Sequence, residues 1–331
     1  MLQRISAIAF ASVLVVACGG SSSRSGFDED GPGASGGGAG TGEGAGGFQG
    51  EQAGENPRAD ECQKMDIVFV VDDSGSMQEE QTNLAANFPK FVSVLDAYKT
   101  KSGSKLDWRI AVTTTGRDVR YTVQPPIAFP GGGGGIAMNE KGDNGAFRMK
   151  NECGASRRWV EKTDSDATST FSCLAKVGTK GPGIEMPLYS LKLALNDRVA
   201  DGTNAGFLRD DALLAVVMLT DEDDCSREDN DFTVQGDVCA GAEVKPVTDY
   251  AKMLDVAAKG PGRWATAVIA GEKGCTSSFG DAAEAKRLKE FVSLAGQNGS
   301  FSSICDGDLT KALEKALSTF DAACKNFPPV R

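Results

Sequence analysis

The sequence contains no histidine, and this absence limits its chemistry more than any other feature. Histidine is the most common general base in enzymes, so Ser-His and Cys-His nucleophilic catalysis are excluded. The nine cysteines include no CxxC pair, and a chain with neither histidine nor closely spaced cysteines lacks the usual ligands of a zinc site. We therefore expect a protein that is not an enzyme.

Positive charge is also scarce, because 35 Lys and Arg residues face 46 Asp and Glu residues and give a formal net charge of -11. Nucleic-acid binding depends on Lys and Arg side chains that neutralise phosphates. An acidic chain repels a phosphate backbone. Nucleic acid is therefore excluded as a partner.

The N-terminus combines a basic residue, a short apolar run and a cysteine. Arg4 precedes an apolar run, Ile5–Val16, that is too short to span a bilayer as a mature helix. The run ends in Val-Val-Ala-Cys, which resembles a lipobox, so we expect residues 1–17 to be a signal peptide and Cys18 to be acylated. A generic signal peptide with an incidental cysteine is the alternative.

Residues 18–58 consist mainly of Gly, Ser, Ala and acidic residues, with Phe27 and Phe48 as the large apolar side chains. Such a segment cannot bury enough surface to offset its chain entropy, so we predict a flexible tether that reaches roughly 35 Å. Gly19 and Gly20 give no inner-membrane retention signal. We expect a lipid-anchored protein of the cell envelope, on the outer rather than the inner membrane.

Residues 59–331 are predicted to form one α/β domain, because short apolar runs alternate with helical patterns. The predicted strands are Met65–Val71, Trp108–Thr114, Leu213–Leu219, Trp264–Ala270 and Ser300–Ile304. The predicted helices are marked by Leu84 to Leu95, Leu188 to Leu195, Leu288 to Ala295, and Leu309 to Phe320. This alternation indicates a doubly wound, mostly parallel sheet that is covered on both faces.

Residues 116–177 depart from this alternation and contain Gly131–Gly135. We interpret them as a long insertion. Such an insertion is either tolerated decoration or a recognition surface on a rigid scaffold, and the sequence leaves both open.

A polar motif, Asp72-Asp73-Ser74-Gly75-Ser76, follows the first predicted strand. Its alternate positions carry one carboxylate and two hydroxyls, which can face one point in a strand-to-helix turn. The alternative is a helix cap, because Ser76 followed by Glu79 fits a capping box.

The Asp72-x-Ser74-x-Ser76 pattern resembles the metal-ion-dependent adhesion site (MIDAS) of the von Willebrand factor A (VWA) domain family. That resemblance implies a later threonine, matched by Thr179 in Gly178–Gly181, and an aspartate after the fourth strand, matched by Asp221. It also implies a Rossmann-like VWA fold whose strand order reverses between the first and fourth strands, near Asp72 and Asp221. The alternatives are loop filler for Thr179 and a helix cap for Asp221.

The resemblance further implies one divalent cation, Mg²⁺ or Mn²⁺, because hydroxyls and carboxylates suit a hard ion. Ser74 and Ser76 would be direct ligands, and Thr179, Asp72 and Asp221 would bind directly or through water. In adhesive members of the family a partner's carboxylate fills the open coordination position. The expected partner is therefore an unknown protein or surface ligand.

Additional carboxylates, Asp73 and Glu222 to Asp224, surround this motif in the sequence. They are either a solvated acidic loop, which would repel a carboxylate partner, or part of a second site. That second site would hold a cation such as Ca²⁺ between Glu222–Asp224 and Asp229 or Asp231, although the spacing is not that of an EF-hand.

The eight cysteines after Cys18 form an even set in an exported chain, which favours four disulfides. Eight cysteines allow 105 pairings, and proximity together with the expected fold selects one arrangement. The expected pairs are Cys62 with Cys324, Cys153 with Cys173, Cys225 with Cys239, and Cys275 with Cys305.

Three functions are compatible with these features. The first is a membrane-tethered module that binds a protein or surface ligand through its cation. The second is a structural envelope lipoprotein whose cation only supports folding. The third, a metal-dependent hydrolase, has less support because the chain offers only carboxylates as general bases.

Overall fold

The computed structural model describes most of the region from Cys62 to Pro329. The described residues are 62–100, 103–124, 135–235, 239, 244–277, 280–306 and 309–329. The predicted signal peptide, the lipidation site Cys18 and the tether of residues 18–58 lie outside them.

The strands that build the fold follow the apolar runs of the sequence. In chain order they are β1 (Lys64–Val71), β2 (Asp107–Thr114), β3 (Val119–Val123), β4 (Ile136–Glu140), β5 (Val160–Glu161), β6 (Leu213–Leu219), β7 (Asp231–Val234), β8 (Trp264–Ala270), β9 (Cys275–Ser277), β10 (Gly280–Ala282) and β11 (Gly299–Ser303). The five strands predicted from the sequence correspond to β1, β2, β6, β8 and β11, and β6 and β8 have the predicted bounds.

The central sheet has the order β11-β8-β6-β1-β2-β5. Its strands are parallel except β5, which pairs antiparallel with β2 at the edge. After β1 the chain adds β2 on one side of the sheet, and after β6 it adds β8 and β11 on the other side. The strand order therefore reverses between β1 and β6. The carboxyl ends of β1 and β6 therefore border the crevice where open α/β sheets bind ligands. The predicted α/β fold with a doubly wound, mostly parallel sheet is confirmed.

Helices cover both faces of this sheet. They are α1 (Gln78–Ala97), α2 (Ala167–Leu174), α3 (Pro187–Lys192), α4 (Arg198–Ala200), α5 (Val247–Ala257), α6 (Lys286–Leu294) and α7 (Leu309–Lys325), with a π-helical turn, Leu193–Asp197, joining α3 to α4. Residues of α1, α2 and α7 share one core cluster, and residues of α3, α5 and α6 share the other. None of the helices in the described ranges is long and apolar enough to cross a membrane.

The strand β1 contributes to both cores because its side chains alternate between the two faces. Phe69 faces α1 and α2, where its ring centroid lies 5.6 Å from that of Phe88 and 5.0 Å from that of Phe171. Val68 and Val70 belong to the opposite cluster. This double burial explains why the strand is apolar over nearly its whole length.

The segment 116–177 is only in part an insertion. Its residues form β5, which extends the central sheet, and α2, whose Phe171 is fully buried in the main core. The remaining part contributes β3 and β4 to a separate sheet of order β4-β3-β7. Tyr121 of that sheet belongs to a small core with Ile184 and Met186. These two residues follow the loop that contains Thr179 in the sequence.

The predicted cysteine pairs are the disulfides of the structure. They are Cys62–Cys324, Cys153–Cys173, Cys225–Cys239 and Cys275–Cys305. The first joins residues 262 positions apart and fastens β1 to the end of α7. In addition, Cys62 N–H donates to the Cys324 carbonyl at 3.0 Å.

A buried ion pair lies near the amino end of β1. Asp66 is 1% exposed, and its carboxylate oxygens accept bonds from Arg209 N at 2.7 Å and Arg209 Nε at 2.8 Å. Arg209 also pairs with Asp107 at 2.7 Å. Burial raises the pKa of Asp66 to about 6, although the charges of Arg209 and Arg109 oppose this rise.

Candidate functional site

The Asp72–Ser76 loop begins where β1 ends, and its polar groups bond to one another. Ser74 N–H donates to Asp72 Oδ1 at 2.8 Å, and the Ser74 and Ser76 hydroxyl oxygens lie 3.0 Å apart. Gly75–Met77 form a 3-10 helical turn before α1, and neither that turn nor α1 has a side-chain cap hydrogen bond. The capping-box alternative for Ser76 is therefore wrong.

Two threonines that the sequence analysis missed hold the Asp72 carboxylate. Thr220 Oγ1 donates to Asp72 Oδ2 at 2.6 Å, and Thr115 Oγ1 donates to Oδ1 at 3.4 Å. Each threonine is the first residue after a strand that flanks β1. The parallel register brings the carboxyl ends of these strands together, so position after a neighbouring strand was the available signal.

The loop that contains Thr179 is attached to the Asp72 loop by backbone contacts. Gly181 N–H donates to the Asp73 carbonyl at 2.7 Å. A Cβ atom at Gly181 would overlap the Asp73 carboxyl group, so glycine permits this close approach. Thr179 itself is partly exposed. The structure thus brings the second predicted loop against the first.

Asp221 enters from the third loop, after β6 and Thr220. It is 2% exposed, and its Oδ1 atom has no hydrogen-bond partner within the part of the chain that the structure describes. Burial, reinforced by the Asp72 carboxylate, raises the pKa of Asp221 to about 7, while a hydrogen bond with Ser76 opposes the rise. The next element along the chain is the strand β7, so the helix-cap alternative for Asp221 is wrong.

These donors fit a hard divalent cation. Hydroxyl and carboxylate oxygens are the ligands such ions prefer, and a buried carboxylate oxygen without a protein partner is compatible with a bound ion or water. Among the described residues, no group of three or more His, Cys, Asp or Glu could hold a metal ion. A cation in this crevice would therefore depend on the hydroxyls of Ser74, Ser76 and Thr179 as well as on Asp72 and Asp221.

The acidic loop after Asp221 has partners within the protein. Asp223 Oδ1 accepts from Arg287 N at 3.0 Å and Leu288 N at 3.3 Å, at the start of α6. Asp224 is fully buried and pairs with the Arg287 guanidinium at 3.0 Å. The expectation of a solvated acidic loop is therefore wrong for these two residues, because the fold needs them to hold α6.

The other proposed ligands of a second cation are also engaged. Asp229 pairs with Arg227 at 2.6 Å, and Asp231 lies 3.5 Å from Arg120 on the neighbouring strand β3. Because these carboxylates serve separate arginines, the structure gives no support for a Ca²⁺ site that joins them to Asp223 and Asp224.

A further buried carboxyl group, Glu185, lies behind the site and was missed by sequence reasoning. It is 1% exposed, and burial raises its pKa strongly, with added contributions from Asp72 and Glu222. The preference for a neutral Glu185 lowers the negative charge beside Asp72. No spacing or composition signal marks this residue, because its role depends on how the chain folds after the Thr179 loop.

In the comparisons with known proteins, the chain is similar only to solved structures. No protein-family model matches the chain, and no curated protein matches it. Proximal thread matrix protein 1 from the mussel byssus is 14% identical over 80% of this chain and 50% of its own, with a TM-score of 0.40. For a second structure of that protein, described as having a zinc-occupied MIDAS motif, the match covers 47% of that chain with a TM-score of 0.38. The pilus adhesin SpaC from Lactobacillus rhamnosus GG, in its open conformation, is 11% identical over 79% of this chain and 31% of its own, with a TM-score of 0.39.

The chain thus spans half or less of the length of these proteins. At such identities and scores the comparisons do not assign a function. A functional assignment therefore rests on the geometry of the site itself.

Proposed function

We propose that this chain is an exported, lipid-anchored binding module of the VWA type that captures a protein or surface ligand through a divalent cation. The observation that carries the proposal is the meeting of three loops at the β1–β6 crevice. The first supplies Asp72, Ser74 and Ser76, the second supplies Thr179, and the third supplies Asp221 with its unpartnered buried oxygen.

Mg²⁺ or Mn²⁺ would be held by these five residues. Both Asp72 oxygens already accept hydrogen bonds from the protein, which favours contact through water for this residue. Asp221 retains an oxygen with no protein partner, which favours direct contact. The bound ion would supply an electrophilic position for a carboxylate of the partner.

Binding is favoured over catalysis by the chemistry of the chain. Metal-dependent hydrolysis needs a general base and substrate-binding groups beside the ion. Two nearby carboxylates, Asp223 and Asp224, instead attach α6. We therefore propose that the protein is not an enzyme.

The second candidate is an envelope lipoprotein whose ion only supports folding. It predicts cation-dependent melting without cation-dependent binding. The large cores on both faces of the sheet and the Cys62–Cys324 bond argue against it, because they stabilise the fold without any contribution from the crevice.

Calorimetric titration with Mg²⁺ and Mn²⁺ tests the site. Ser74→Ala should weaken affinity for the ion severely, whereas Ser293→Ala, which changes an exposed serine on α6, should leave affinity unchanged. Full-length protein in detergent should then retain an envelope partner in Mg²⁺ but not in EDTA, and Ser74→Ala should not retain it. A parent protein that takes up neither ion at millimolar concentration rejects the proposal.

Localisation forms a separate part of the proposal. Acylation of Cys18 and the tether of residues 18–58 would hold the domain at the envelope, on the outer membrane. The disulfides support an oxidising compartment outside the cytoplasm.

A further inference from the structure

The side chain of Gln81 connects two of the three loops at the crevice. Gln81 lies in the first turn of α1, and its Nε2 donates to the Asp72 carbonyl at 2.7 Å and to the Gly178 carbonyl at 3.1 Å. Its Oε1 accepts from Gly178 N–H at 3.4 Å. One amide group therefore contacts the backbone of both loops.

These contacts place Thr179 between two attachment points. Gln81 holds Gly178 on one side, and on the other side Gly181 N–H donates to the Asp73 carbonyl at 2.7 Å. Gly178 has φ of +90°, a conformation that glycine adopts without strain. Thr179 has few positions available while both Gly178 and Gly181 remain attached.

We propose that Gln81 is the positioning residue that fixes the Thr179 hydroxyl for the cation. The proposal rests on the proposed function, because it concerns the same site. A loop that is held before the ion arrives loses less conformational freedom on binding, and the ion then gains affinity from a preformed ligand. Gln81 acts through Thr179 and does not contact the ion.

Gln81→Leu tests this role, because it keeps the size of the side chain and a good helix former while removing every amide contact. Groups that orient metal ligands are typically worth about 10- to 100-fold in affinity, and we expect Mn²⁺ to bind about 10- to 100-fold more weakly by calorimetry. Gln297→Leu, in an exposed turn at the amino end of β11, is the matched control and should bind Mn²⁺ like the parent.

A merely structural role predicts a different result, namely a lower melting temperature in EDTA with unchanged affinity. Hydrogen exchange in EDTA gives an independent measurement, and the amides of residues 178–181 should exchange faster in Gln81→Leu than in the parent. Unchanged exchange overturns the proposal whatever the affinity.

A double-mutant cycle tests whether Gln81 acts through Thr179. If it does, Gln81→Leu with Thr179→Ala should bind Mn²⁺ no more weakly than Thr179→Ala alone. Additive losses would overturn the proposal. If the parent binds Mn²⁺ and Gln81→Leu binds it with the same affinity, the role of Gln81 is rejected and the proposed function stands. If the parent binds no ion, the proposed function is rejected as well.

Discussion

Replacing Asp221 by alanine should stabilise the metal-free protein and at the same time abolish its response to Mg²⁺. Asp221 is buried, its Oδ1 atom has no partner, and the Asp72 carboxylate lies nearby. An unsatisfied buried polar group costs about 1–3 kcal/mol, and more when it is charged. The substitution also removes a hydrogen bond with Ser76, worth about 1 kcal/mol. The expected net gain is therefore up to about 2 kcal/mol.

The gain can be measured as a melting temperature. For a domain of this size about 1 kcal/mol corresponds to roughly 2–4 °C, so Asp221→Ala in EDTA should melt up to about 8 °C above the parent. Mg²⁺ at one hundred times its Kd stabilises a protein that binds it by about 2.7 kcal/mol. The parent should then melt above the variant, and the order of the two proteins reverses between EDTA and Mg²⁺.

The control is Asp210→Ala, which removes one exposed carboxylate near the amino end of β6, away from the crevice. It changes the net charge equally and should alter neither the melting temperature in EDTA nor the response to Mg²⁺. If Asp221→Ala melts below the parent in EDTA, the carboxylate stabilises the fold and the argument from its missing partner is refuted. Equal Mg²⁺ responses of parent and variant would refute the assignment of Asp221 as a ligand.

Three further predictions concern other parts of the chain. Replacing Cys62 and Cys324 by serine should lower the free energy of unfolding by up to about 5 kcal/mol, measured with urea, because that bond closes the longest loop; an unchanged midpoint would contradict this. Arg209→Ala should cost about 3–5 kcal/mol at pH 8, since it leaves Asp66 buried without its partner. Because the pKa of Asp66 is raised, the folded protein favours the protonated carboxyl group, and this contribution to stability is lost as the pH rises through about 6. Arg209→Ala should therefore cost less stability at pH 5 than at pH 8. Equal losses at the two pH values would reject this account. Cys18→Ala should abolish lipid attachment and detergent partitioning, whereas intact mass showing an unmodified Cys18 in the parent would reject the lipoprotein assignment.

Most of the central sheet could be predicted from the sequence, because strands buried on both faces are apolar throughout. β6 and β8 illustrate this, since every one of their residues is buried. The helix α5 was missed although Val247, Tyr250 and Leu254 are buried at helical spacing. Asp249 and Lys252 lie between these positions, as in an amphipathic helix, so the signal was available. The short strand β5 could not be predicted, because two residues carry no periodicity.

The sequence proposes ligands for the candidate site, but it does not indicate the residues that support them. The five proposed ligands follow a motif that is visible along the chain. The residues that hold them, Thr115, Thr220 and Gln81, act through contacts between strands or loops that are distant in sequence. Their roles depend on the parallel register and on where α1 begins, and neither can be derived from the composition of a single segment.

The arrangement of β1 separates the candidate site from the contacts that stabilise the fold. Asp66 and the Cys62–Cys324 bond lie near its amino end, and Asp72 follows its carboxyl end. Asp72 follows Asp66 by six positions of extended chain, a distance of roughly 20 Å. Carboxylates can therefore be gathered at one edge of the sheet, because the fold is stabilised at the other edge and in the cores between them. A fold that is stabilised in this way can retain the Asp221 Oδ1 atom, which has no hydrogen-bond partner among the described residues, for a ligand.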